Sequence, residues 1–295
     1  MAGPGIEREC AMKTRSLVLW AAVGVVLGSS SAQGSREDKA KQARLDNEVR
    51  RLVAKMTLEE KVGQMTQITL EQFGKSGPDG RFILDDEKLR EGIVKHHLGS
   101  ILNCGGQART VRNWQEMIAR MQDLATKETR LGIPIIYGID TIHGANYVLG
   151  ATLFPHNIAL AAAGDVALME KVGEISAFET RAAGIPWNFA PVLDVARHPM
   201  WPRVFESFGE DPYLASVLGA AYIRGQQGKD MSSPVKVATC MKHYLGYSLP
   251  WSGQDRTPAY IPERQLREWF VKPFAAAVRA GAMTCMANSS EINGV

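Results

Sequence analysis

Signatures of several common function classes are missing from this chain of 295 residues. Its histidines show neither a His-x-x-x-His nor a His-Glu-x-x-His spacing, so no metal site of the zinc-protease kind is indicated. The chain also lacks a Gly-x-Ser-x-Gly elbow, a glycine-rich phosphate loop and a Gly-x-Gly-x-x-Gly fingerprint. These absences argue against serine hydrolases, nucleoside triphosphatases and dinucleotide enzymes, and we expect neither a cofactor nor a metal.

Cysteine is scarce and the net charge is small. Cys10 falls in an N-terminal segment that we expect to be removed, which leaves Cys104, Cys240 and Cys285. An odd number at wide spacing is neither a disulfide framework nor a metal-ligand pattern, and we expect these three to be small buried hydrophobic residues. The net charge is +3, and no Lys/Arg run adjoins aromatic residues. We therefore expect no nucleic-acid partner.

Hydrophobic runs long enough to cross a bilayer are absent as well. The apolar run Leu17–Leu27 is too short to span comfortably, and it follows Lys13 and Arg15 and precedes small residues. This order is typical of a secretory signal peptide, which we place at residues 1–32, with Met12 as an alternative start. We expect export to the periplasm or the extracellular space and no stable membrane anchor. A buried N-terminal helix is the alternative interpretation.

The rest of the chain alternates between strand-like and helix-like patterns. We expect a flexible leader over residues 33–44 and one large domain over residues 45–295, which opens with a helix and contains a surface loop from Gly74 to Gly80. Alternation of this kind implies parallel strands joined by helical crossovers, and it fits both a doubly wound sheet and a β/α barrel. The strand-like runs are Gly99–Asn103, Ile133–Asp140, Trp187–Asp194, Val235–His243 and Ala282–Asn288. A complete barrel needs eight β/α units, and fewer strand-like runs than that are visible here. We therefore expect a barrel that is cut short.

Charged side chains stand at the carboxyl ends of three of these runs. Asp140, Asp194 and the pair Lys242-His243 each follow or end an apolar stretch. In parallel α/β folds the strand ends meet at one edge, where ligands bind. A common binding site is therefore predicted, with structural ion pairing as the alternative. Neighbours along a strand point to opposite faces, so a bend is needed for Lys242 and His243 to reach one pocket.

Five motifs, in order, resemble those of the family 3 glycoside hydrolases. The resemblance runs from about Leu45 to Val295. It implies an α/β fold, an incomplete (β/α)8 TIM-like barrel that lacks its last strands and the C-terminal α/β sandwich domain. The motifs are Tyr137–Gly144, Ala151–Asn157, Phe189–Val195, Phe205–Pro212 and Lys242–Gly246.

The resemblance also implies a sugar-binding role for four residues. Asp140 matches the family carboxylate that accepts hydrogen bonds from sugar hydroxyls, while Arg203, Lys242 and His243 match residues that donate to hydroxyls. Charge-assisted hydrogen bonds of this kind suit the vicinal hydroxyls of a pyranose. Three further polar residues of these motifs are expected to hold loops together instead: Asp194, His156 and Glu206.

The activity that the resemblance implies is hydrolysis of terminal non-reducing β-D-glucosyl residues by a retaining mechanism. Retention requires two carboxyl groups, a nucleophile and a general acid/base. The family places its nucleophile in a Ser-Asp-Trp-like motif, and no Ser-Asp dipeptide occurs in this sequence. We therefore expect both catalytic carboxylates, an Asp and a Glu, beyond Val295, and no turnover by the chain alone.

The substrate partner is then a β-glucoside or an oligosaccharide, and the missing C-terminal portion is a further expected partner. Gly253–Arg256 lacks the Asp-His pair of the N-acetylhexosaminidase branch, which favours a glucosidase. Two alternatives stay open. One is a non-catalytic carbohydrate-binding or split-enzyme fragment. The other is an unrelated aldolase-like barrel with Lys242 as a Schiff-base lysine.

Overall fold

The computed structural model describes residues 40–104 and 106–295, and the chain divides into two compact units between Leu58 and Glu59. Within the first unit, residues 40–55 form helix α1. This helix already includes residues 40–44, so it begins within the segment predicted as a flexible leader. The predicted signal peptide, residues 1–32, lies outside the described residues.

The second unit is built on a parallel sheet of six strands in the order β1-β4-β5-β6-β7-β8, beside a two-stranded antiparallel hairpin of β2 and β3. The spatial order of the six strands is the same as their order along the chain, so each new strand is added at the same edge of the sheet. A doubly wound sheet would reverse direction at a switch point, so this order identifies barrel winding. The strands are β1 Gln67–Thr69, β2 Gly74–Ser76, β3 Phe82–Leu84, β4 Ser100–Leu102, β5 Ile136–Ile139, β6 Trp187–Asn188, β7 Ala238–Tyr244 and β8 Thr284–Ala287.

Helices cross between these strands and begin at residues suited to cap them. Thr110, Asp165 and Asp211 accept hydrogen bonds from backbone amides of the first turns of α4, α6 and α7, and Pro212 opens α7. The helices are α2 Leu58–Gln64, α3 Asp86–Leu89 (continued by a π-helical segment Arg90–Lys95), α4 Val111–Lys127, α5 Asn157–Ala163, α6 Val166–Ala182, α7 Pro212–Gln227, α8 Glu263–Gln265 (continued by a π-helical segment Leu266–Phe270) and α9 Val271–Arg279. None of the described helices is both long and apolar enough to cross a membrane.

The core is divided between the two halves of the sheet. One cluster packs α4 against the first strands through Trp114, Met121 and Tyr137, and another packs α6, α7 and α9 through residues such as Tyr222. Gly138 of β5 permits the close approach of Phe189, because a Cβ atom there would stand 2.3 Å from the Phe189 ring. The result is a sheet covered by helices whose strand ends share one edge.

Strand β7 is irregular where it carries two of the predicted site residues. Its pairing with β8 shifts register between Met241 and Tyr244, and the Lys242-His243 peptide bond is cis. Beside it, Val192 bridges to Lys242. A register shift of this kind bends a strand and redirects its side chains, as a β-bulge does. Lys242 and His243 therefore need not follow the alternation of a regular strand.

The structure confirms the predicted fold class, an incomplete α/β barrel, with six parallel strands among the described residues. Three details differ. The predicted loop Gly74–Gly80 is wrong in its first half, because β2 pairs there with β3. Strand β6 is short, since Trp187–Asp194 pairs regularly only over two residues. Cys104 and Cys240 are buried as predicted, but Cys285 is exposed, because it lies on the edge strand β8.

Candidate functional site

The polar residues at the strand ends come together as predicted. Asp140 directly follows β5, and Lys242 and His243 lie near the end of β7, two strands away. Asp194 lies in the extended segment after β6, between them. Because all these strands are parallel, their carboxyl ends form one edge, and the side chains meet there.

Asp140 and Lys242 form a direct ion pair across the edge of the sheet. The Lys242 ammonium donates to Asp140 Oδ1. The two partners differ in exposure: the Lys242 side chain is 2% exposed and the Asp140 side chain 33%. The ammonium therefore depends on the carboxylate for compensation of its buried charge, while the carboxylate also faces open space.

Asp194 makes a second acid–base pair, with His243. Asp194 Oδ2 lies 2.7 Å from His243 Nδ1 and accepts the His243 backbone N–H at 3.2 Å. Both side chains are buried. Asp194 therefore holds the loop, as predicted, and it also contacts a predicted site residue.

Arg203 is held by Glu206 in a two-point ion pair. Arg203 Nε donates to Glu206 Oε1 at 2.6 Å and Nη2 to Oε2 at 2.7 Å, across the short 3-10 turn Val204–Glu206. Burial lowers the pKa of Arg203, but the hydrogen bonds and charge of Glu206 outweigh burial and raise the pKa above its ordinary value. The guanidinium is thus a permanent donor with some of its N–H groups unused by Glu206.

Tyr247 joins these pairs and was missed by the sequence analysis. Its ring packs edge-on against His243, with 4.9 Å between the ring centres, and its hydroxyl lies 3.4 Å from Arg203 Nη1. The hydroxyl donates to Asp255 Oδ1 at 2.6 Å, and burial raises the pKa of Tyr247. The one sequence signal was position, since both Tyr247 and Asp255 follow the Lys-His motif closely.

A cavity of about 240 Å³ opens beside these pairs. A volume of this size has room for several waters or for one small polar ligand. It brings Asp140 and Glu206 together, and in its wall the His156 ring packs between His143, with tilted planes, and Phe205, edge-on. Glu206 and His156, which were expected to hold loops together, thus line the cavity. The lining residues are Asp140, Ile142, His143, Asn146, Tyr147, His156, Phe205 and Glu206.

All four predicted site residues belong to one cluster, in which the Lys242-His243 peptide bond joins two sets of side-chain contacts, and of the four Asp140 lines the cavity. Asp140 binds Lys242, His243 contacts Tyr247, and Tyr247 contacts Arg203. The cluster offers an exposed acceptor beside fixed cationic donors, which suits a neutral ligand with several hydroxyl groups. In the part of the chain that the structure describes, no group of three or more His, Cys, Asp or Glu residues is placed to hold a metal ion.

Comparison with known proteins finds relatives that match most of this chain. The family model described as "Glycosyl hydrolase family 3 N terminal domain" matches residues 57–295. A lysosomal beta glucosidase of Dictyostelium discoideum is 44% identical over 265 residues, which cover 85% of this chain and 32% of that protein. A periplasmic beta-glucosidase of Salmonella typhimurium is 32% identical over 243 residues, 82% of this chain and 29% of that protein.

Solved structures show the same relationship. An exo-1,3/1,4-beta-glucanase from a Pseudoalteromonas species superposes with a TM-score of 0.74 at 32% identity, over 85% of this chain and 31% of that one. A beta-glucosidase from Listeria innocua in complex with isofagomine gives 0.70 at 32% identity, over 84% of this chain and 32% of that one. The chain thus spans about a third of the length of these relatives. It belongs to glycosyl hydrolase family 3, and its residues 57–295 correspond to the N-terminal domain of that family.

Proposed function

We propose that this chain forms the glucose-binding part of a β-glucosidase-type hydrolase, which removes terminal non-reducing β-D-glucosyl residues with retention of configuration. The observation that carries the proposal is the meeting of Asp140, paired with Lys242, and Glu206, paired with Arg203, at one cavity. Relatives named as beta-glucosidases support it, and so does the Listeria innocua enzyme, which was solved with glucose and, as a mutant, with laminaribiose.

Each of the four residues has a distinct part in holding the sugar. Asp140 keeps one carboxylate oxygen on Lys242 and presents the other to hydroxyl donors. Arg203 is a permanent cation, Lys242 is ion-paired with Asp140, and both have N–H groups to spare, so they donate to hydroxyl oxygens. Because their partners fix them before a ligand arrives, little side-chain entropy is lost on binding. His243 completes the set beside Lys242.

We further propose that the nucleophile and the acid/base are supplied by sequence outside these 295 residues. The acids at the site are already engaged: Asp140 with Lys242, Glu206 with Arg203, and Asp194 with His243. An engaged carboxylate is a poor nucleophile, because attack would cost its ion pair. The alternative interpretation of Lys242 as a Schiff-base lysine fits less well, because its side chain is 2% exposed and its nitrogen is bound to Asp140, which leaves a carbonyl carbon little room to approach.

Export belongs to the proposal as well. The signal-like segment at residues 1–32 supports it, and one relative is named as periplasmic. Expression with the native N-terminus, followed by N-terminal sequencing of the mature protein, tests it. We expect cleavage near Ala32, and retention of the intact N-terminus in the cytoplasm would contradict export.

Calorimetric titration of the 295-residue chain with methyl β-D-glucopyranoside tests the binding proposal. We expect measurable affinity, lost in Asp140→Asn, because the neutral amide removes both the ion pair and the charged acceptor. Glu174→Gln is the matched control: it removes an acid from an exposed ion pair with Lys171 on α6 and should leave affinity unchanged. Equal binding by parent and Asp140→Asn would overturn the assignment.

The same preparation tests the catalytic half of the proposal with an aryl β-glucoside. We expect no hydrolysis by the chain alone. Hydrolysis that Asp140→Ala abolishes would show that the chain contains its own catalytic groups, while the binding proposal would stand.

A further inference from the structure

The pair formed by Asp194 and His243 determines how His243 can contact a ligand. One carboxylate oxygen, Asp194 Oδ2, faces both the backbone N–H and the ring Nδ1 of His243. Two contacts to the same residue fix both the position and the rotation of the imidazole. The Tyr247 ring, packed edge-on at 4.9 Å, further restricts it.

The buried charge of Asp194 requires a proton on His243 Nδ1. The Asp194 side chain is 1% exposed, and among the described residues its other oxygen, Oδ1, has no hydrogen-bond partner. A carboxylate in this position is stable only if the donors at Oδ2 compensate it. An unprotonated Nδ1 would direct its lone pair at the carboxylate, leaving the backbone N–H as the one donor.

We propose that Asp194 is a positioning residue that holds His243 with the proton on Nδ1, so that Nε2 accepts a hydrogen bond from a sugar hydroxyl. This inference rests on the proposed function and refines it. The family resemblance implies that Lys242 and His243 both donate to hydroxyls. A proton on Nδ1 instead leaves Nε2 as an acceptor, on the residue that directly follows the ammonium donor Lys242.

A donor next to an acceptor distinguishes a hydroxyl that accepts a hydrogen bond from a hydroxyl that donates one. One hydroxyl accepts from Lys242, and another donates to His243 Nε2. The second hydroxyl therefore cannot be replaced by a group that only accepts, such as fluorine. The charged or titratable groups in this network include Lys242 beside His243, bound to Asp140, and Tyr247 against its ring, whose hydroxyl contacts Arg203 and donates to Asp255. Among the described contacts, the carboxylate at His243 Nδ1 is that of Asp194.

Nitrogen NMR of the histidine side chains tests the tautomer directly. The chain has six histidines, so protein labelled with 15N-histidine gives few signals, and the loss of one set in His243→Phe assigns His243. At about pH 8, where an ordinary imidazole is neutral, we expect Nδ1 protonated and Nε2 unprotonated. Protonation of Nε2, alone or together with Nδ1, would overturn the inference. This measurement does not depend on whether any Asp194 variant folds.

Asp194→Asn tests the positioning role. An amide can either accept from Nδ1–H or donate to Nδ1, so we expect the His243 signals to become those of mixed tautomers, and glucoside affinity to fall about tenfold. Glu206→Gln is the matched control, because it makes the same acid-to-amide change at the Arg203 pair. We expect it to weaken binding but to leave the His243 tautomer unchanged. An unaltered tautomer in Asp194→Asn would contradict the role.

Monodeoxyfluoro glucosides test the acceptor role. We expect one position at which fluorine costs the parent about tenfold in affinity but costs His243→Phe little, because the donated hydrogen bond is already absent there. A uniform effect in both proteins would refute acceptance by Nε2. Failure of the proposed function is distinguishable, because then the parent binds no glucoside at all while the tautomer can still be read.

Discussion

Removing either partner of the Asp140–Lys242 pair should abolish glucoside binding. The two variants should nevertheless differ sharply in the stability of the folded protein. In Asp140→Ala the Lys242 ammonium stays 2% exposed without its carboxylate. In Lys242→Met an apolar chain of similar length replaces the ammonium. The carboxylate left behind is 33% exposed and can be hydrated. This difference in exposure predicts that Asp140→Ala lowers the free energy of unfolding more than Lys242→Met does.

The magnitudes follow from the cost of isolating a buried charge. Breaking a buried pair by removing one partner costs about 3–5 kcal/mol. We expect the lower end, about 3 kcal/mol, for Asp140→Ala, because water can enter from the cavity beside it. For Lys242→Met we expect about 0–1 kcal/mol, because methionine fills the buried space and the Asp140 carboxylate left behind is exposed enough to be hydrated, as in a surface ion pair. At about 2–4 °C for each kcal/mol, Asp140→Ala should lower Tm by about 6–12 °C.

Urea unfolding followed by tryptophan fluorescence measures both free energies of unfolding. The double variant Asp140→Ala/Lys242→Met is the internal check. Once the ammonium is gone, the loss of Asp140 should cost little, so the double variant should recover most of the stability lost in Asp140→Ala. If Lys242→Met destabilises as much as Asp140→Ala, or if the double variant is no better than the single one, the account of the pair is wrong.

Two further predictions concern Tyr222 and Cys285. Burial raises the pKa of Tyr222 from 10.0 to about 12, so the folded state holds the proton of its hydroxyl more tightly than the unfolded state does. The resulting contribution to the free energy of unfolding is complete below about pH 10 and is lost as the pH rises to about 12. At about 1.4 kcal/mol per pH unit, about 3 kcal/mol should disappear over that range. Between about pH 9 and about pH 11, the free energy of unfolding measured in urea should fall less in Tyr222→Phe than in the parent protein. An equal fall in both would contradict the assignment. Iodoacetamide should alkylate Cys285 well before Cys104 and Cys240, because only Cys285 of the three is exposed. Peptide mapping by mass spectrometry checks this, and preferential labelling of Cys240 would show that β8 does not lie as described.

Sequence reasoning was most successful where a residue's role depends on its place along one element. Asp140 and Lys242 could be assigned to the same edge because each ends an apolar run, and parallel strands align their ends. The family could be recognised from motifs in order, because each motif is a local stretch. The sequence pattern missed the three-residue strands β1 and β2, where periodicity has too few residues to appear, and it predicted β6 longer than it is.

What the amino-acid sequence by itself determined is the alternation of elements, the family and the four candidate residues Asp140, Arg203, Lys242 and His243. Only the tertiary structure decided which acid each base binds. Asp140 and Lys242 are 102 positions apart, and Asp194 and His243 are 49 apart. Such pairings depend on strand order, on register and on the bulge in β7, which no local pattern specifies. For the same reason, the contacts of Tyr247 with His243 and Arg203 became visible only in the folded chain.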